Sequence, residues 1–276
     1  MRVAITGGNG FIGRAAVEAG LARGYGMWSF DRADGHDVMG DLKALQGADW
    51  VIHLAGVLGT AELFDDPHHA IDVNVHGALR VIEWCRDNGA GYVGITMPPV
   101  FPSIYTATKI CADRLASAFH TGYGVPVARV CAYNAYGPGQ KHGPGHPQKI
   151  IPTFATLAWE GKPLPVWGDG LQTVDLVHAE DVGRMLVTAC RFGDDELFDA
   201  GTGVALTVRD VAEFTIECVS ASGGPRSSIE YLPMRLGELP TNIVADGAGW
   251  DKLTWHPEFS WDRLAQAIHS YRPEEV

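Results

Sequence analysis

Cysteine is scarce in this sequence, and its distribution excludes one class of protein. The five cysteines are Cys85, Cys111, Cys131, Cys190 and Cys218. They are scattered, odd in number and form no CxxC pair, so they cannot close into a complete disulfide framework. A reducing, cytoplasmic compartment is therefore the simpler expectation.

Long apolar runs are also missing. No uninterrupted apolar stretch approaches the roughly 20 residues that a bilayer-spanning helix needs. The chain passes from Met1 directly into a strand-like segment, without the basic region, apolar run and cleavage site of a signal peptide. We expect a soluble protein with no export signal and no membrane partner.

Basic residues are in short supply. Lys and Arg number 21 against 33 Asp and Glu, which gives a net charge of -12. Such a charge repels a phosphate backbone, so nucleic acid is excluded as the main partner. With 276 residues, 46% of them hydrophobic, the chain can still bury a core of one large domain or two closely joined ones.

Metal-ligand spacing is absent as well. The pair His68-His69, His142 and His146 lack the tight Cys/His/acid spacing of a closed zinc site, so we expect loop histidines and no metal. The acidic pair Asp65-Asp66 and the run 194–196 lie beside predicted turns. We expect both to be solvated charge.

What the sequence does contain is an alternation of short Val- and Ile-rich runs with segments of helical period, the rhythm of βαβ units. The predicted strands are residues 2–6, 27–30, 50–54, 92–96 and 125–131. The predicted helices are residues 11–23, 70–88, 105–120, 150–160, 180–192, 207–220 and 261–271. Runs this apolar suit a parallel sheet covered on both faces, which predicts an α/β fold with a doubly wound parallel sheet.

A glycine-rich segment, Thr6 to Gly13, separates the first strand from the first helix. Gly7, Gly10 and Gly13 have the GxxGxxG spacing that allows a tight turn, close approach of a phosphate and close packing of helix on strand. Backbone amides and a helix N-terminus, with Phe11 and Ile12 in its first turn, can then bind a pyrophosphate. The alternative is a simple turn, which the position between strand and helix disfavours.

Asp31 comes directly after the second predicted strand, 18 residues beyond Gly13. A carboxylate about 20 residues past the glycines is placed to bind the ribose hydroxyls of NAD and to repel the extra phosphate of NADP. The adjacent Arg32 leaves room for both cofactors, and a solvated loop acid is the other interpretation. Asp41 and Leu42 are expected to face the adenine, or to be an ordinary helix start.

Tyr105 and Lys109 are four residues apart on a predicted helix, so both side chains emerge on one face. A cation beside a phenol favours the phenolate and lowers the tyrosine pKa, which makes the phenol a general base for a sugar hydroxyl. A YxxxK pair alone is common on amphipathic helices, but the upstream glycine loop favours the functional interpretation. Cys111, on the same helix, is predicted to pack in the core.

In this order the motifs resemble the extended short-chain dehydrogenase/reductase family, especially its NAD-dependent nucleotide-sugar epimerases and dehydratases. The matching segments are Thr6 to Gly13, Asp31, Gly40-Asp41-Leu42, His53-Leu54-Ala55-Gly56, Asn74, Tyr105 to Lys109, and residues 134–140, 166–173 and 235–238. The resemblance covers nearly the whole chain. It is specific for the family and much less so for one reaction.

The resemblance implies a Rossmann fold, NAD as cofactor and a nucleotide sugar as substrate. It implies an NAD-binding domain of residues 1–134 and 175–204, and a smaller substrate-binding portion of residues 135–174 and 205–276, including a Gly/Pro-rich loop at 136–147. A homodimer through the helices 70–88 and 105–120 is also implied.

The resemblance also assigns roles to individual residues. Tyr105 would be the acid/base, and Lys109 would hold the nicotinamide ribose. Asn134 would lie near the sugar or its phosphates, and Arg235 would bind the diphosphate. The remaining residues expected at the cofactor are Leu54, Ala55, Gly56 and Asn74. An Asn that caps a turn and an Arg in a surface ion pair are the alternatives for Asn134 and Arg235.

The chain departs from the family pattern after its fourth strand. The position of the family's substrate-binding Ser/Thr falls on Met97, so Thr96 is expected to supply the hydroxyl, although alternation along a strand can turn it away. Pro98 and Pro99 occupy the place of the Asp-Glu pair of dehydratases and cannot transfer a proton. The loop from there to Tyr105 is short.

A further departure concerns the diphosphate. Val174 stands where the family has an arginine, so one diphosphate contact is expected to be lost or to move to Lys141 or Lys149.

These observations predict an NAD-dependent epimerase that acts on a nucleotide-diphosphate sugar by transient oxidation of a hydroxyl to a ketone. The alternatives are a nucleotide-sugar dehydratase, a net oxidoreductase and a dinucleotide-bound protein with little catalysis.

Overall fold

The computed structural model describes residues 1–143 and 146–273. Its strands are β1 (Arg2–Thr6), β2 (Gly26–Phe30), β3 (Trp50–His53), β4 (Gly91–Thr96), β5 (Val127–Ala132), β6 (Asn134–Tyr136), β7 (Leu164–Trp167), β8 (Thr173–Val174), β9 (Leu176–His178), β10 (Asp194–Ala200), β11 (Leu206–Thr207) and β12 (Ile229–Leu232). Its α-helices are α1 (Phe11–Leu21), α2 (Pro67–Ile71), α3 (Gly77–Asn88), α4 (Ile104–Tyr123), α5 (Ile150–Trp159), α6 (Ala179–Ala189), α7 (Val208–Ala221) and α8 (Trp261–His269).

Six strands form the central sheet, in the order β10-β5-β4-β3-β1-β2. All neighbouring strands in it are parallel. Apolar clusters cover both of its faces, because Val- and Ile-rich strands leave no polar face for water. The predicted α/β fold with a doubly wound parallel sheet is confirmed.

The predicted helix 70–88 is present but is not uniform. Residues Asp72–His76 form a π-helical turn between α2 and α3, and Asn74 lies in the middle of that turn. Such turns widen a helix locally and are frequent at functional sites. Asp66, predicted as solvated charge, caps α2 by accepting a hydrogen bond from the backbone of His69.

Strand β10 was not predicted, and its acidic start was wrongly expected to be simple solvated charge. Asp195 has a φ of 57° and lies at a bulge, where the register with β5 shifts. Its carboxylate lies 2.8 Å from Nε of Arg129, and its backbone carbonyl accepts a bond from the same guanidinium. The ion pair therefore compensates for acidic residues in a strand of the central sheet.

A third apolar cluster lies outside the central sheet, among α5, α7, α8 and the small paired strands. It is built from residues of 136–271, which fits a separate substrate-binding portion. The boundaries predicted at 134, 174 and 204 stay predictions. Residues 144–145 of the predicted loop and 274–276 of the predicted portion lie outside the described residues.

Helix α4 presents one face to the sheet and the other to the surface. Lys109 is buried on the inner face, together with Thr108 and Ala112. Cys111 is exposed, so its predicted core position is wrong. The face of α4 that packs on the sheet contains Lys109 and Ala112, and Cys111 lies on the opposite face. Within residues 1–143 and 146–273, no helix is long and apolar enough to cross a membrane.

The fully buried Asp175 links its own segment to residues 202–203 and to Ala245. Its carboxylate accepts hydrogen bonds from the amide and hydroxyl of Thr202 and from the amides of Gly203 and Ala245, all at 2.7–3.0 Å. A single carboxyl side chain therefore satisfies four donors. No motif in the sequence analysis pointed to this residue.

We expect Asp175→Asn to lower the free energy of unfolding by about 3 kcal/mol, because an amide group would face donors that now meet a charged oxygen. Urea unfolding measures the change. Asp169→Asn is the matched control, since exposed Asp169 accepts one local bond from Leu171 and should shift stability by less than about 0.5 kcal/mol. Equal midpoints for the two variants would contradict this account.

Candidate active site

One large cavity of about 950 Å³ lies at the carboxyl ends of the central strands. Open α/β sheets bind their ligands at this edge. The volume is at the upper end of the range of about 300–1,000 Å³ that is typical of small-molecule sites. The cavity runs from the glycine loop past Tyr105 and Lys109 to Arg235, so it joins the predicted cofactor and substrate regions.

The glycine loop leaves no space for side chains. A Cβ on Gly13 would lie 2.3 Å from the carbonyl oxygen of Gly7, and Gly7 itself has a φ of +72°. Gly10 precedes α1 without a side-chain cap, so the first amides of the helix face the cavity, where Phe11 and Ile12 also lie. This cradle fits the pyrophosphate of a dinucleotide.

Asp31 lies on the cavity wall directly after β2. One carboxylate oxygen accepts a hydrogen bond from the amide of Asn9 at 3.1 Å, and the other from the amide of Ala33 at 3.0 Å. These bonds hold a negative charge beside the glycine loop. Arg32 and His36 line the same region, and His36 stacks on Phe30 with ring centroids 5.0 Å apart.

Asp41 and Leu42 do not line the cavity and form the ordinary helix start that was the alternative interpretation, since the amide of Lys43 donates to the Asp41 carboxylate. Asp41 is exposed and paired with Lys43, and Leu42 packs into the core. The residues that line the cavity are 37–39 instead. Arg80 of α3 donates to the carbonyl oxygen of Val38 and so fixes this turn, a tertiary contact that local spacing did not indicate.

The loop after β3, residues 54–56, lines the cavity as predicted. Its amides at Leu54 and Ala55 both donate to the hydroxyl of Thr6, at 3.2 Å each. Asn74 is buried, and its amide group bonds both backbone groups of Val57 and the hydroxyl of Thr108. Asn74 therefore braces this loop against α4, and its predicted cofactor contact stays a prediction.

His53 is buried beneath this loop, with Nδ1 2.7 Å from the Thr6 hydroxyl oxygen. Because that oxygen already accepts two amide hydrogens, the hydroxyl donates to a neutral imidazole. Burial, and then the charge of Lys109, lower the pKa of His53 to about 3. The imidazole is therefore uncharged throughout the physiological range.

A depressed histidine pKa makes stability depend on acidity. The unfolded chain binds a proton near pH 6.5 and the folded chain only near pH 3, so this contribution is full above pH 6.5 and is lost as the pH falls. Between pH 7 and pH 5 we expect a loss of about 2 kcal/mol. Urea unfolding of wild type and His53→Gln at both pH values checks this: parallel pH dependences in the two proteins would contradict it.

Tyr105 lies in the first turn of α4, which Ser103 caps through the amide of Thr106. Both Tyr105 and Lys109 line the cavity, so the helix brings the predicted pair to one site. Burial raises the pKa of Tyr105 to about 12 and lowers that of Lys109 to about 8. The predicted lowering of the tyrosine pKa is not found: burial dominates, so at neutral pH the pair is a phenol and an ammonium.

An acidic residue lies behind Lys109. Asp113, one turn further along α4, opposes the effect of burial on the pKa of Lys109. Arg129 of β5 holds the Asp113 carboxylate at 3.4 Å and also binds Asp195 of β10. The Asp113 carboxylate therefore acts on Lys109 through its charge, while Arg129 holds it beside Asp195 of the edge strand.

The turn after β4 carries the predicted replacement hydroxyl. Thr96 is 6% exposed and lines the cavity, and among the described residues its Oγ1 has no hydrogen-bond partner. It shares a sheet face with Tyr92, which packs in the cluster that contains Ala116 of α4. Because side chains alternate between the two faces of a strand, Thr96, four residues after Tyr92, lies on the face that packs against α4, the helix of Tyr105. Met97 and Pro98 also line the cavity.

The far end of the cavity contains the residues predicted to bind substrate. Arg235 stacks over Trp167 at 4.6 Å and pairs through two nitrogens with Glu238, with Nε 3.0 Å from Oε2. Burial lowers the pKa of Lys149, on which the nearby charges of Arg235 and Glu238 also act. Asn134 lines the same cavity. The pair with Glu238 corresponds to the ion-pair alternative that the sequence analysis gave for Arg235, and both residues lie in the segment 235–238.

A parallel Rossmann sheet, a glycine cradle and a Tyr–Lys pair on one cavity define a dinucleotide-dependent enzyme of the extended short-chain dehydrogenase/reductase class. Residues 3–201 match the model of the NAD dependent epimerase/dehydratase family. The chain belongs to this family, which confirms the resemblance, the enzyme class and NAD as its cofactor.

Characterised relatives include both reaction types. The chain is 27% identical over 274 residues to a dTDP-glucose 4,6-dehydratase of Streptomyces griseus, with 87% of this chain and 81% of the relative covered. It is also 27% identical to a UDP-glucose 4-epimerase of Mycolicibacterium smegmatis, with 99% of both chains covered. Sequence similarity at this level does not separate epimerase from dehydratase.

Solved structures support the same fold. The UDP-glucose 4-epimerase of Thermus thermophilus, in complex with NAD, superposes with a TM-score of 0.86 at 23% identity over 100% of both chains. A dTDP-glucose 4,6-dehydratase double mutant of Streptomyces venezuelae, with NAD bound, gives 0.85 at 26% identity over 99% of this chain and 98% of that one.

Proposed function

We propose that the protein is an NAD-dependent epimerase of a nucleotide-diphosphate sugar that works through a transient ketone. The observation that carries the proposal is the composition of the cavity wall beside Tyr105. In the turn 97–101, the residues that line the cavity are Met97, Pro98, Val100 and Phe101, and none of them can transfer a proton. Elimination of water needs a further acid and base at this place, whereas epimerisation needs only the Tyr105 site.

The proposal assigns a task to each residue of the site. The chemistry supplied by bound NAD is acceptance of a hydride from the sugar and its return to the opposite face. Tyr105 removes the hydroxyl proton and gives it back, and Lys109, an ammonium at neutral pH, would hold the nicotinamide ribose beside it. Thr96 supplies a hydroxyl to the reacting oxygen.

Binding of the cofactor and substrate uses the two ends of the cavity. The glycine loop with Gly7, Gly10 and Gly13 would hold the NAD pyrophosphate, and Asp31 would hold the adenosine ribose. Arg235 and Asn134 would hold the diphosphate of the sugar nucleotide. A guanidinium suits this role because it can bind two phosphate oxygens at once, and a bound diphosphate would take the place of Glu238 and Gln148, the present partners of Arg235. Lys149 would supply the positive charge of the arginine whose place Val174 takes.

Proton NMR of the purified protein in deuterated water, with NAD and a panel of UDP-, dTDP- and GDP-sugars, tests the proposal. A new sugar epimer without net NADH is the expected result. A deoxy-keto product would identify a dehydratase, and NADH formed in proportion to product would identify a net oxidoreductase. Unchanged sugars with NAD bound would favour a protein with little catalysis.

A further inference from the structure

Three segments converge around the end of the cavity beside Tyr105. They are the loop 57–64 after β3, the turn 97–103 after β4, and the segment 234–239. Their contact is close at Gly237, where a Cβ would lie 2.8 Å from the Phe64 ring, 3.2 Å from the Thr60 carbonyl oxygen and 3.3 Å from Cβ of Ser103. A sugar held against Tyr105 is therefore enclosed by these three segments.

The side chains that these segments turn to the cavity are largely apolar. They are Val57, Leu58, Met97, Pro98, Val100, Phe101, Met234 and Leu239. Leu58 is 47% exposed and Leu239 49%, so both retain apolar surface that a ligand can cover. These side chains can make van der Waals contacts with carbon atoms of a ligand, but they can form few hydrogen bonds with its oxygen atoms.

The charged side chains of the three segments are already bound to other groups of the protein. Arg235 and Glu238 are paired with each other, and the Glu62 carboxylate accepts from the amide of Gln148. Thr60 is the one further hydroxyl residue of these described segments that lines the cavity. Thr60 aside, a hydroxymethyl group or a carboxylate placed against the apolar side chains of these segments would lose water without gaining a partner from them, which costs free energy.

We propose that the preferred substrate is a nucleotide-linked 6-deoxy sugar, whose exocyclic methyl group lies against the wall formed by Leu58, Val100, Phe101 and Leu239. This inference rests on the proposed function and names the substrate class of the same site. A methyl group gains from burial on this wall, whereas an added hydroxyl must remain unpaired or keep its water.

The test compares matched sugars on the NAD-loaded protein. Titration calorimetry and turnover are measured with UDP-glucose, UDP-6-deoxyglucose and UDP-glucuronate, and with the corresponding dTDP-linked glucose pair. We compare sugars on the nucleotide, UDP or dTDP, whose sugars bind more tightly. With that nucleotide the 6-deoxy sugar is expected to bind about 10–100-fold more tightly than the hexose. Among the UDP-sugars, the glucuronate is expected to bind most weakly. A preference below about threefold, or one for the hexose or glucuronate, overturns the inference.

A variant pair links the preference to the wall. Val100→Thr keeps the shape of the side chain and adds a hydroxyl, so it should reduce the preference for the 6-deoxy sugar at least about threefold. Val204→Thr is the matched control at a 38% exposed position outside the cavity lining, and it should keep the wild-type ratio. An unchanged ratio in Val100→Thr overturns the assignment to this wall.

The two proposals fail in distinguishable ways. Selective binding of the 6-deoxy sugars without any epimer in the NMR experiment contradicts the epimerase but supports the inference. Epimerisation of hexoses as efficient as that of 6-deoxy sugars supports the epimerase and overturns the inference.

Discussion

Replacement of Tyr105 by phenylalanine is expected to lower turnover by about 10²–10⁴-fold, the usual contribution of a positioned acid/base group. The variant keeps the aromatic ring in the first turn of α4 and removes only the phenol oxygen. Stability and NAD affinity should therefore stay close to wild type. Initial rates with the substrate identified by NMR measure the loss, and calorimetry with NAD checks the binding.

Tyr123→Phe is the matched control for this experiment. Tyr123 ends the same helix and is 62% exposed, so loss of its hydroxyl should leave turnover unchanged. If Tyr105→Phe retained a tenth or more of the wild-type rate, the phenol would not be the acid/base group. An equal loss in both variants would indicate damage to α4 and not loss of chemistry.

Gly13→Ala is expected to weaken NAD binding by about 100-fold or more. The new Cβ would lie 2.3 Å from the Gly7 carbonyl oxygen and 2.7 Å from that of Gly8, and both are backbone atoms that cannot rotate away. The loop must move by a distance on the order of 1 Å to make room for the methyl group. A misplacement of this size costs about 10²-fold where a site depends on exact geometry, and we expect the NAD affinity to fall by that factor. Equilibrium titration with NAD measures the change.

Gly122→Ala provides the comparison, since this helical glycine in α4 has no heavy atom near its Cβ position within 4 Å. Alanine there should be neutral or stabilise the protein by about 0.5–1 kcal/mol, because it restricts the unfolded chain. NAD affinity close to wild type in both variants would show that the glycine loop does not contact the dinucleotide as proposed.

Most of the central sheet could be predicted because its strands are short apolar runs between turn signals. β10 was missed because it begins with Asp194, Asp195 and Glu196, whose charge dominates a local pattern. Only the three-dimensional contact between Asp195 and Arg129 makes that start compatible with a sheet. The paired strands outside the sheet are two to four residues long, too short for a periodic signal.

The residues whose place at the cavity could be predicted are those that depend on local spacing. Gly7, Gly13 and the Tyr105–Lys109 pair reach the cavity through a backbone turn and one helical turn, which the sequence specifies directly. For Asp41 the sequence left a cofactor contact and a helix start open, because which residues of this turn reach the cavity depends on the contact of Arg80, 39 residues further on, with the carbonyl of Val38. Asp175 could not be found, because its four donors come from segments about 30 and 70 residues away.

The bulge at Asp195 also affects how the molecule behaves at high concentration. A strand at the edge of a sheet can act as a template for strands of other molecules, which leads to aggregation. β10 begins with three consecutive acids, and the amide of Asp194 donates to the Glu196 carboxylate at 2.8 Å. The bend and the repulsion between such edges therefore make this end of β10 a poor surface for intermolecular strand pairing.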